Sequence, residues 1–128
     1  AKKTIRFLVD NDKNIKGSNI LILGLTFKEN CPDIRNTKVF DIIEELEDYG
    51  CLIDIYDPWV DSSELNLSQK REIIPNPFES SKKYEAILVC VSHNEFINIK
   101  NEEFKSISIG KPIIIDIKGI VEKPTWRL

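Results

Sequence analysis

Five short apolar runs, separated by polar or amphipathic segments, are the feature that most constrains the fold of this chain. Each run is only a few residues long and is bounded by turn-forming or charged residues, which is typical of strands buried on both faces of a parallel sheet. The runs are NILILGL from Asn19, CLIDIYD from Cys51, EIIP from Glu72, AILVCVS from Ala86 and KPIIIDIKG from Lys111. They predict a sheet of about five strands.

Helical patterns lie between these runs. Residues 3–13 predict a short amphipathic helix. The segment NTKVFDIIEELEDYG has apolar residues three and four positions apart, which predict a helix that Asn36 or Thr37 caps at its start and Gly50 at its end. The apolar face of this helix consists of Val39, Ile42, Ile43, Leu46 and Tyr49.

Two possible capping boxes predict further short helices. Asp61 with Glu64 starts one, and Ser92 with Glu95 starts another that extends to Ile99. Apolar strands that alternate with helices predict an α/β fold, here a Rossmann-like three-layer sandwich with a mostly parallel sheet. We expect residues 1–16 to form a linker helix from a preceding domain and residues 17–128 to form the domain itself.

Composition and charge exclude several classes of protein. The chain has 128 residues, a formal net charge of -3 and a pI of about 5.3, which argue against nucleic acid or an anionic membrane as a partner. The apolar runs are far shorter than the ~20 residues of a membrane helix, and the N-terminus becomes polar too early for a signal peptide. The three cysteines form no CxxC pair. These features predict a cytoplasmic protein without disulfides or a zinc site.

Charged side chains follow several predicted strands, where ligands of open parallel sheets bind. Lys28 and Arg35 follow the first strand, His93 the fourth and Lys118 the fifth. Three cations and an imidazole on one rim of an acidic protein predict an anionic ligand such as phosphate or pyrophosphate. The alternative is that they are solvated loop charges.

The loop after the first strand does not match a dinucleotide-binding motif. Gly24 stands alone, without a G-x-G-x-x-G pattern. In such motifs an acidic residue at the end of the second strand binds the ribose, and Asp57 has this position. However, the separation between Gly24 and Asp57 is longer than the usual ~20 residues. We therefore expect no self-sufficient NAD site in this chain.

The cysteines and the histidine have simpler interpretations than catalysis. Cys31 as a nucleophile with His93 as its base is a weak hypothesis, because few surrounding groups would lower the pKa of the thiol. Cys51 and Cys90 fall on strands and are predicted to be small core residues. We expect His93 to start a helix with a structural hydrogen bond and not to bind a metal. We expect Trp59 to pack in a satellite of the core, with a lid or interface residue as the alternative.

Four segments together resemble one family. GLTFKENCPDIRNTK, IYDPWV, VCVSHNEF and IIDIKG resemble the C-terminal domain of the nucleotide-sugar 6-dehydrogenases, the UDP-glucose and GDP-mannose dehydrogenase family. The resemblance covers about residues 17–121. The form FKENCPDIRNTK is most similar to the branch that acts on UDP-N-acetylhexosamines.

The resemblance implies one domain of a larger enzyme. Such enzymes have an N-terminal NAD-binding domain, a central domain that dimerises and this UDP-sugar-binding domain. They oxidise the C6 alcohol of a UDP-sugar, a UDP-N-acetylhexosamine or UDP-glucose, to the uronate in two hydride transfers to NAD, for surface polysaccharide synthesis. The reaction passes through a thiohemiacetal on a cysteine that precedes this domain, and Cys31 is not its counterpart. The resemblance therefore implies a cytoplasmic homo-oligomer in which this chain alone is inactive.

The same resemblance implies roles for individual residues. Phe27 and Lys28 match the pair that contacts the UDP-sugar, and Arg35 matches an arginine that reaches NAD on the other domain. Lys118 stands where an arginine usually contacts the nucleotide sugar; lysine keeps the charge and loses the bidentate fork. Asp33 either orients Arg35 or is a turn residue. No catalytic residue and no metal ligand is expected in this chain.

A second hypothesis comes from a different class of protein. A stand-alone Rossmann-like module would use the same cations to bind a regulatory nucleotide or a partner. A complete small dehydrogenase is disfavoured because Gly24 is a single glycine. A domain with a G-x-G-x-x-G motif, encoded upstream of this segment, would favour the enzyme hypothesis over the stand-alone module.

Overall fold

The computed structural model describes residues 1–26, 28–32, 38–60 and 71–128. The helices in these ranges are α1 (Lys2–Asp10), α2 (Val39–Asp48), α3 (Asn94–Ile97) and α4 (Asn101–Ser106). The strands are β1 (Asn19–Leu23), β2 (Leu52–Tyr56), β3 (Arg71–Ile73), β4 (Ala86–Val89), β5 (Ile114–Asp116) and β6 (Trp126–Arg127). Within the same ranges, a 3-10 turn spans Pro77–Glu79.

The strands form one sheet in the order β3-β2-β1-β4-β5-β6, and every neighbouring pair is parallel. This is the doubly wound order, in which the chain turns back between β1 and β4. The predicted fold class is confirmed, and all five predicted strands are present. The sixth strand, β6, was not predicted because two residues carry no periodic signal.

The sheet is buried on both faces because successive side chains of a strand point to opposite sides. Ile20 and Ile22 of β1 belong to one core cluster, whereas Leu21 and Leu23 belong to the other. The first cluster also contains residues of α1 and α2, and the second contains residues of α3 and α4. The predicted three layers are thus helices, sheet and helices.

Most of the predicted apolar face of α2 is confirmed. Val39, Ile43 and Leu46 are buried, while Tyr49 lies beyond the last turn and is exposed. Gly50 ends the helix as predicted, with a φ of 91° and an N–H that donates to the Glu47 carbonyl over 2.8 Å. The N-cap of α2 is Lys38, whereas the predicted caps lie outside the described residues, as does the helix predicted from residue 61.

α1 is present but ends earlier than predicted. Asn11 is its C-cap and Asp12 follows in a left-handed conformation, with a φ of 57°. Leu8 of α1 is fully buried in the first core cluster, so the helix packs directly on the sheet. The division into residues 1–16 and 17–128 stays a prediction.

The helix after β4 differs from its prediction. α3 begins at Asn94 with His93 as its N-cap, no side chain caps it, and it ends at Ile97. The prediction from Ser92 and Glu95 was wrong because a capping box depends on backbone geometry that a spacing of three residues does not fix. α4 follows as a separate helix that the sequence did not predict.

Candidate functional site

The carboxyl ends of β1 and β4 meet at the point where the strand order reverses. Gly24 follows β1 and brings its main chain against Val91, which follows β4. A Cβ atom on Gly24 would lie 2.6 Å from the Val91 Cβ and 2.9 Å from its backbone nitrogen, and the φ of Gly24 is 97°. The absence of a side chain at Gly24 therefore allows the loops after β1 and β4 to pack closely.

Asp57, at the end of β2, organises the loop that follows Gly24. Its Oδ2 accepts hydrogen bonds from the backbone N–H groups of Leu25, at 2.7 Å, and Thr26, at 3.2 Å. Its Oδ1 accepts the Trp59 N–H at 2.8 Å, within the turn that follows the strand. Asp57 is 3% exposed.

Hydrogen bonds keep Asp57 ionised despite its burial. Burial opposes the charged carboxylate, but the hydrogen bond from His93 and those from the Leu25 and Trp59 backbones outweigh it, so the pKa of Asp57 lies below its ordinary value. A carboxylate that is buried and already accepts these hydrogen bonds is not available to a ribose hydroxyl.

His93 is fully buried and uses both ring nitrogens. The Asn30 N–H donates to Nδ1 at 2.8 Å, so Nδ1 carries no proton. Nε2 then carries the proton and lies 2.9 Å from Asp57 Oδ2 and 3.1 Å from Thr26 Oγ1. The ring is neutral in this arrangement, and the structural role predicted for His93 is confirmed.

This arrangement also weakens the hypothesis of a Cys31 nucleophile. Both nitrogens of His93 have partners, so the ring has no free position to take a proton from the thiol. Cys31 itself is half-buried. Cys51 and Cys90 are buried, as predicted, and burial raises the pKa of the Cys90 thiol to about 12.

Trp59 lies over His93 and not in either core cluster of the described residues. The ring centroids are 6.0 Å apart, and the indole N–H donates to Glu95 Oε1 over 3.1 Å. Trp59 is 37% exposed, so the predicted satellite-core position was wrong. The indole N–H needs a hydrogen-bond partner, and it finds one in an exposed carboxylate at the surface.

A second buried carboxylate orders the loop after β5. Asp116 accepts hydrogen bonds from the backbone N–H groups of Gly119 and Val121, each at 2.8 Å. Arg127 of β6 lies 3.5 Å from the same carboxylate. These contacts fix the main chain on both sides of Lys118.

The predicted site residues divide into two groups. Lys28 and Lys118 are exposed at the carboxyl edge, after β1 and β5, and both strands neighbour β4. Burial dominates the pKa of Cys90, at the end of β4, and the charge of Lys118 partly offsets it, so Lys118 lies near that end. Phe27, Arg35 and Asp33 lie outside the described residues.

The residues that sequence reasoning missed are those that hold the loops. Thr26, Asn30 and Asp116 make buried or loop-closing hydrogen bonds at this edge. The sequence offered one usable signal, since an acidic residue at the end of an apolar strand has to find donors when it is buried. Thr26 and Asn30 contact His93, which lies 67 and 63 residues further along the chain, too far to be identified from spacing.

The edge does not fit the pyrophosphate of a dinucleotide. Such a group approaches the main chain of a glycine-rich turn, but the space beside Gly24 is filled by Val91. Asp57 has the position of the ribose-binding residue in dinucleotide motifs, but it already accepts four hydrogen bonds. The described part of this domain therefore offers no cradle for NAD.

Other surface features lie away from this edge. A pocket of about 540 Å³ lies at the opposite end of β5, where its lining includes Lys105, Lys111, Ile114 and Lys123. Among the described residues no group of three potential metal ligands occurs. In the same ranges no helix has the length and apolar character needed to cross a membrane.

Together these features define a doubly wound α/β domain with ordered, cationic loops at its switch point, a class that binds nucleotides and related ligands there. The chain belongs to the UDP-glucose/GDP-mannose dehydrogenase family. Residues 21–123 match the family model described as its UDP binding domain. The family resemblance of the sequence motifs is thereby confirmed.

Individual relatives agree with this assignment. The chain is 40% identical over 121 residues to a UDP-N-acetyl-D-glucosamine 6-dehydrogenase of Salmonella typhi, covering 94% of this chain and 28% of the relative. It is 36% identical to a protein of the same name from Pseudomonas aeruginosa, covering 96% and 29%. The chain therefore spans less than a third of these relatives.

A solved structure supports the fold. The NDP-N-acetyl-D-galactosaminuronic acid dehydrogenase of Methanosarcina mazei Go1 superimposes with a TM-score of 0.79 at 24% identity, covering 93% of this chain and 24% of that one. At this identity the similarity establishes the architecture alone.

Proposed function

We propose that this chain is the C-terminal, nucleotide-sugar-binding domain of an NAD-dependent nucleotide-sugar 6-dehydrogenase. The enzyme oxidises the C6 alcohol of a UDP-N-acetylhexosamine or UDP-glucose to the uronate in two hydride transfers, for surface polysaccharide synthesis. The observation that carries the proposal is the match of residues 21–123 to a UDP binding domain. The name shared by the two relatives favours an N-acetylhexosamine as the sugar.

The cations at the carboxyl edge supply the chemistry for the UDP diphosphate. Lys28 and Lys118 lie on loops that flank β4, and charge-assisted hydrogen bonds to phosphate are stronger than neutral ones. The neighbouring carboxylates Asp57 and Asp116 are buried and occupied by donors, so they leave the positive charge of the lysines free to act on a ligand. In this proposal Phe27 contacts the UDP-sugar beside Lys28.

NAD binds mainly on another domain of the same enzyme in this proposal. The described edge does not accommodate a dinucleotide, and Arg35 would reach across the cleft towards the cofactor. Ala1 lies near Cys90, which follows β4, so α1 starts near the carboxyl edge. A domain joined ahead of α1 would lie beside that edge. The enzyme is a cytoplasmic homo-oligomer.

The first test is turnover by this chain alone. UDP-N-acetylglucosamine and NAD, incubated with the 128-residue chain, should give no NADH above the buffer rate by absorbance, because the chain carries neither a dinucleotide motif nor a credible nucleophile. The full-length enzyme encoded by the parent gene, assayed in parallel, should form NADH. Turnover by the short chain would contradict the proposal.

The second test is the contribution of Lys28 to nucleotide binding. Lys28→Ala should weaken UDP binding to this chain about 10–100-fold in calorimetric titration, since a charged hydrogen bond contributes roughly 1.5–3 kcal/mol. Lys83→Ala is the matched control, because Lys83 is also exposed but precedes β4 at the opposite edge. Equal affinities in all three proteins would remove Lys28 from the site.

A further inference from the structure

We infer that His93 is a positioning residue that sets the place of Lys28 by holding the loop on both sides of it. The inference rests on the proposed function, since it names what makes Lys28 effective towards the UDP diphosphate. Its evidence is independent, because it consists of hydrogen bonds within the described residues. No atom of His93 needs to touch a ligand.

The first contact lies before Lys28 in the chain. Thr26 Oγ1 lies 2.9 Å from the Lys28 carbonyl oxygen and donates its hydrogen there. The same hydroxyl oxygen lies 3.1 Å from His93 Nε2, whose single N–H is shared between this oxygen and Asp57 Oδ2 at 2.9 Å. One hydroxyl thus connects the buried imidazole to the main chain of Lys28.

The second contact lies after Lys28. The Asn30 N–H donates to His93 Nδ1 at 2.8 Å, and the Asn94 N–H donates to Asn30 Oδ1 at 3.0 Å. Asn30 has a φ of 54°, a left-handed conformation that asparagine tolerates and that needs supporting contacts. The loop after β4 therefore holds Asn30 through both its backbone and its side chain.

The ring that makes both contacts is itself fixed. His93 Nε2 also lies 2.9 Å from Asp57 Oδ2, which anchors the ring to the end of β2. The ring lies 6.0 Å from Trp59 and 5.4 Å from Phe96, measured between centroids. A buried ring with three polar partners and two aromatic neighbours is held in place, so its contacts fix the main chain at Thr26, Lys28 and Asn30.

Two conservative variants separate the two contacts. The amide of glutamine reproduces the position of the imidazole Nε2, and that of asparagine reproduces Nδ1. His93→Gln should keep the donor to Thr26 and lose the acceptor for the Asn30 N–H, whereas His93→Asn should do the reverse. Tyr84→Phe is the control, because it removes a buried hydrogen bond of 2.7 Å to Asp54, outside this network.

The rate of amide hydrogen exchange in this chain measures directly how firmly the loop is held. Exchange at Asn30 should accelerate about tenfold or more in His93→Gln and less in His93→Asn, with no comparable change in β1 or α2. A purely structural role would accelerate exchange throughout the domain, as general destabilisation does. Unchanged or uniformly accelerated exchange in both variants would overturn the inference, whatever the ligand.

Calorimetric titration with UDP then tests whether the position of the loop affects the affinity for the nucleotide. Both variants should bind UDP about tenfold more weakly than wild type, and Tyr84→Phe should bind within twofold of it. If wild type binds, Lys28→Ala binds weakly and both His93 variants bind normally, the positioning role is overturned and the proposed function stands. If wild type does not bind UDP at millimolar concentration, the proposed function fails and exchange at Asn30 still decides the role of His93 within the loop.

Discussion

Gly24→Ala lowers the free energy of unfolding by about 2–5 kcal/mol. A non-glycine residue in a left-handed backbone conformation costs roughly 1–2 kcal/mol, and overpacking against a fixed neighbour adds about 1–3 kcal/mol. Both terms apply, because Gly24 has a φ of 97° and a new Cβ would meet Val91 at 2.6 Å. Urea denaturation followed by circular dichroism at neutral pH measures the difference.

Gly17→Ala is the matched control for this prediction. Gly17 also has a left-handed conformation, with a φ of 85°, but a Cβ added there would have no neighbouring atom within 4 Å. Its substitution should cost only the backbone term of about 1–2 kcal/mol. If Gly24→Ala costs no more than Gly17→Ala, the close packing of the two loops is contradicted.

The packing at Gly24 gives that residue a purpose different from the one its position in the sequence suggests. A glycine between a strand and a helix normally leaves room for a phosphate. Here the room is taken by Val91. The loops after β1 and β4 are joined at this contact, and the same loops carry Lys28 and His93. Rigid packing at the switch point is therefore what orders the cationic edge.

The fold was predictable because its signals are local. Strand β1 alternates Ile20 and Ile22 with Leu21 and Leu23, all of them apolar, and such a run fits only a position between two layers. The ends of short elements were less predictable. α3 and β6 are four and two residues long, and their limits depend on contacts with other elements.

The site was predictable only in part. Charge and motif position predicted that Lys28 and Lys118 lie at the carboxyl edge, where the structure has them, since lysines after buried strands lie at one edge of a parallel sheet. Their role in binding stays a prediction. The network beneath them was not identified, because the partners of His93 lie 36 to 67 residues away in the chain. Which nitrogen of an imidazole carries the proton is also decided by its neighbours in space.

Asp57→Asn lowers the free energy of unfolding by about 3–5 kcal/mol at neutral pH. The amide oxygen can replace Oδ2, which accepts from Leu25, Thr26 and His93, but as a weaker neutral acceptor. The amide nitrogen then faces the Trp59 N–H, and two donors oppose each other without water. Urea denaturation of the variant and of wild type measures the loss.

Asp41→Asn is the matched control for the removed charge. Asp41 is exposed in the first turn of α2, so the same substitution should cost only about 0.3–1 kcal/mol through the helix dipole. A loss at Asp57 that equals the loss at Asp41 would contradict the hydrogen-bonded role of Asp57.

The dependence of this loss on pH distinguishes a carboxylate that accepts hydrogen bonds from one that merely fills space. Burial acts against ionisation, yet the hydrogen bonds from His93, Leu25 and Trp59 keep the pKa of Asp57 below its ordinary value of 3.8. The stabilisation by the carboxylate is therefore complete above pH 3.8 and is lost as the pH falls through the lower pKa of the folded state. The difference between wild type and Asp57→Asn should be constant from about pH 7 to pH 5 and should shrink in acid. A difference that stays constant below about pH 3 would mean that shape, and not charge, makes Asp57 the anchor of the loop that carries Lys28.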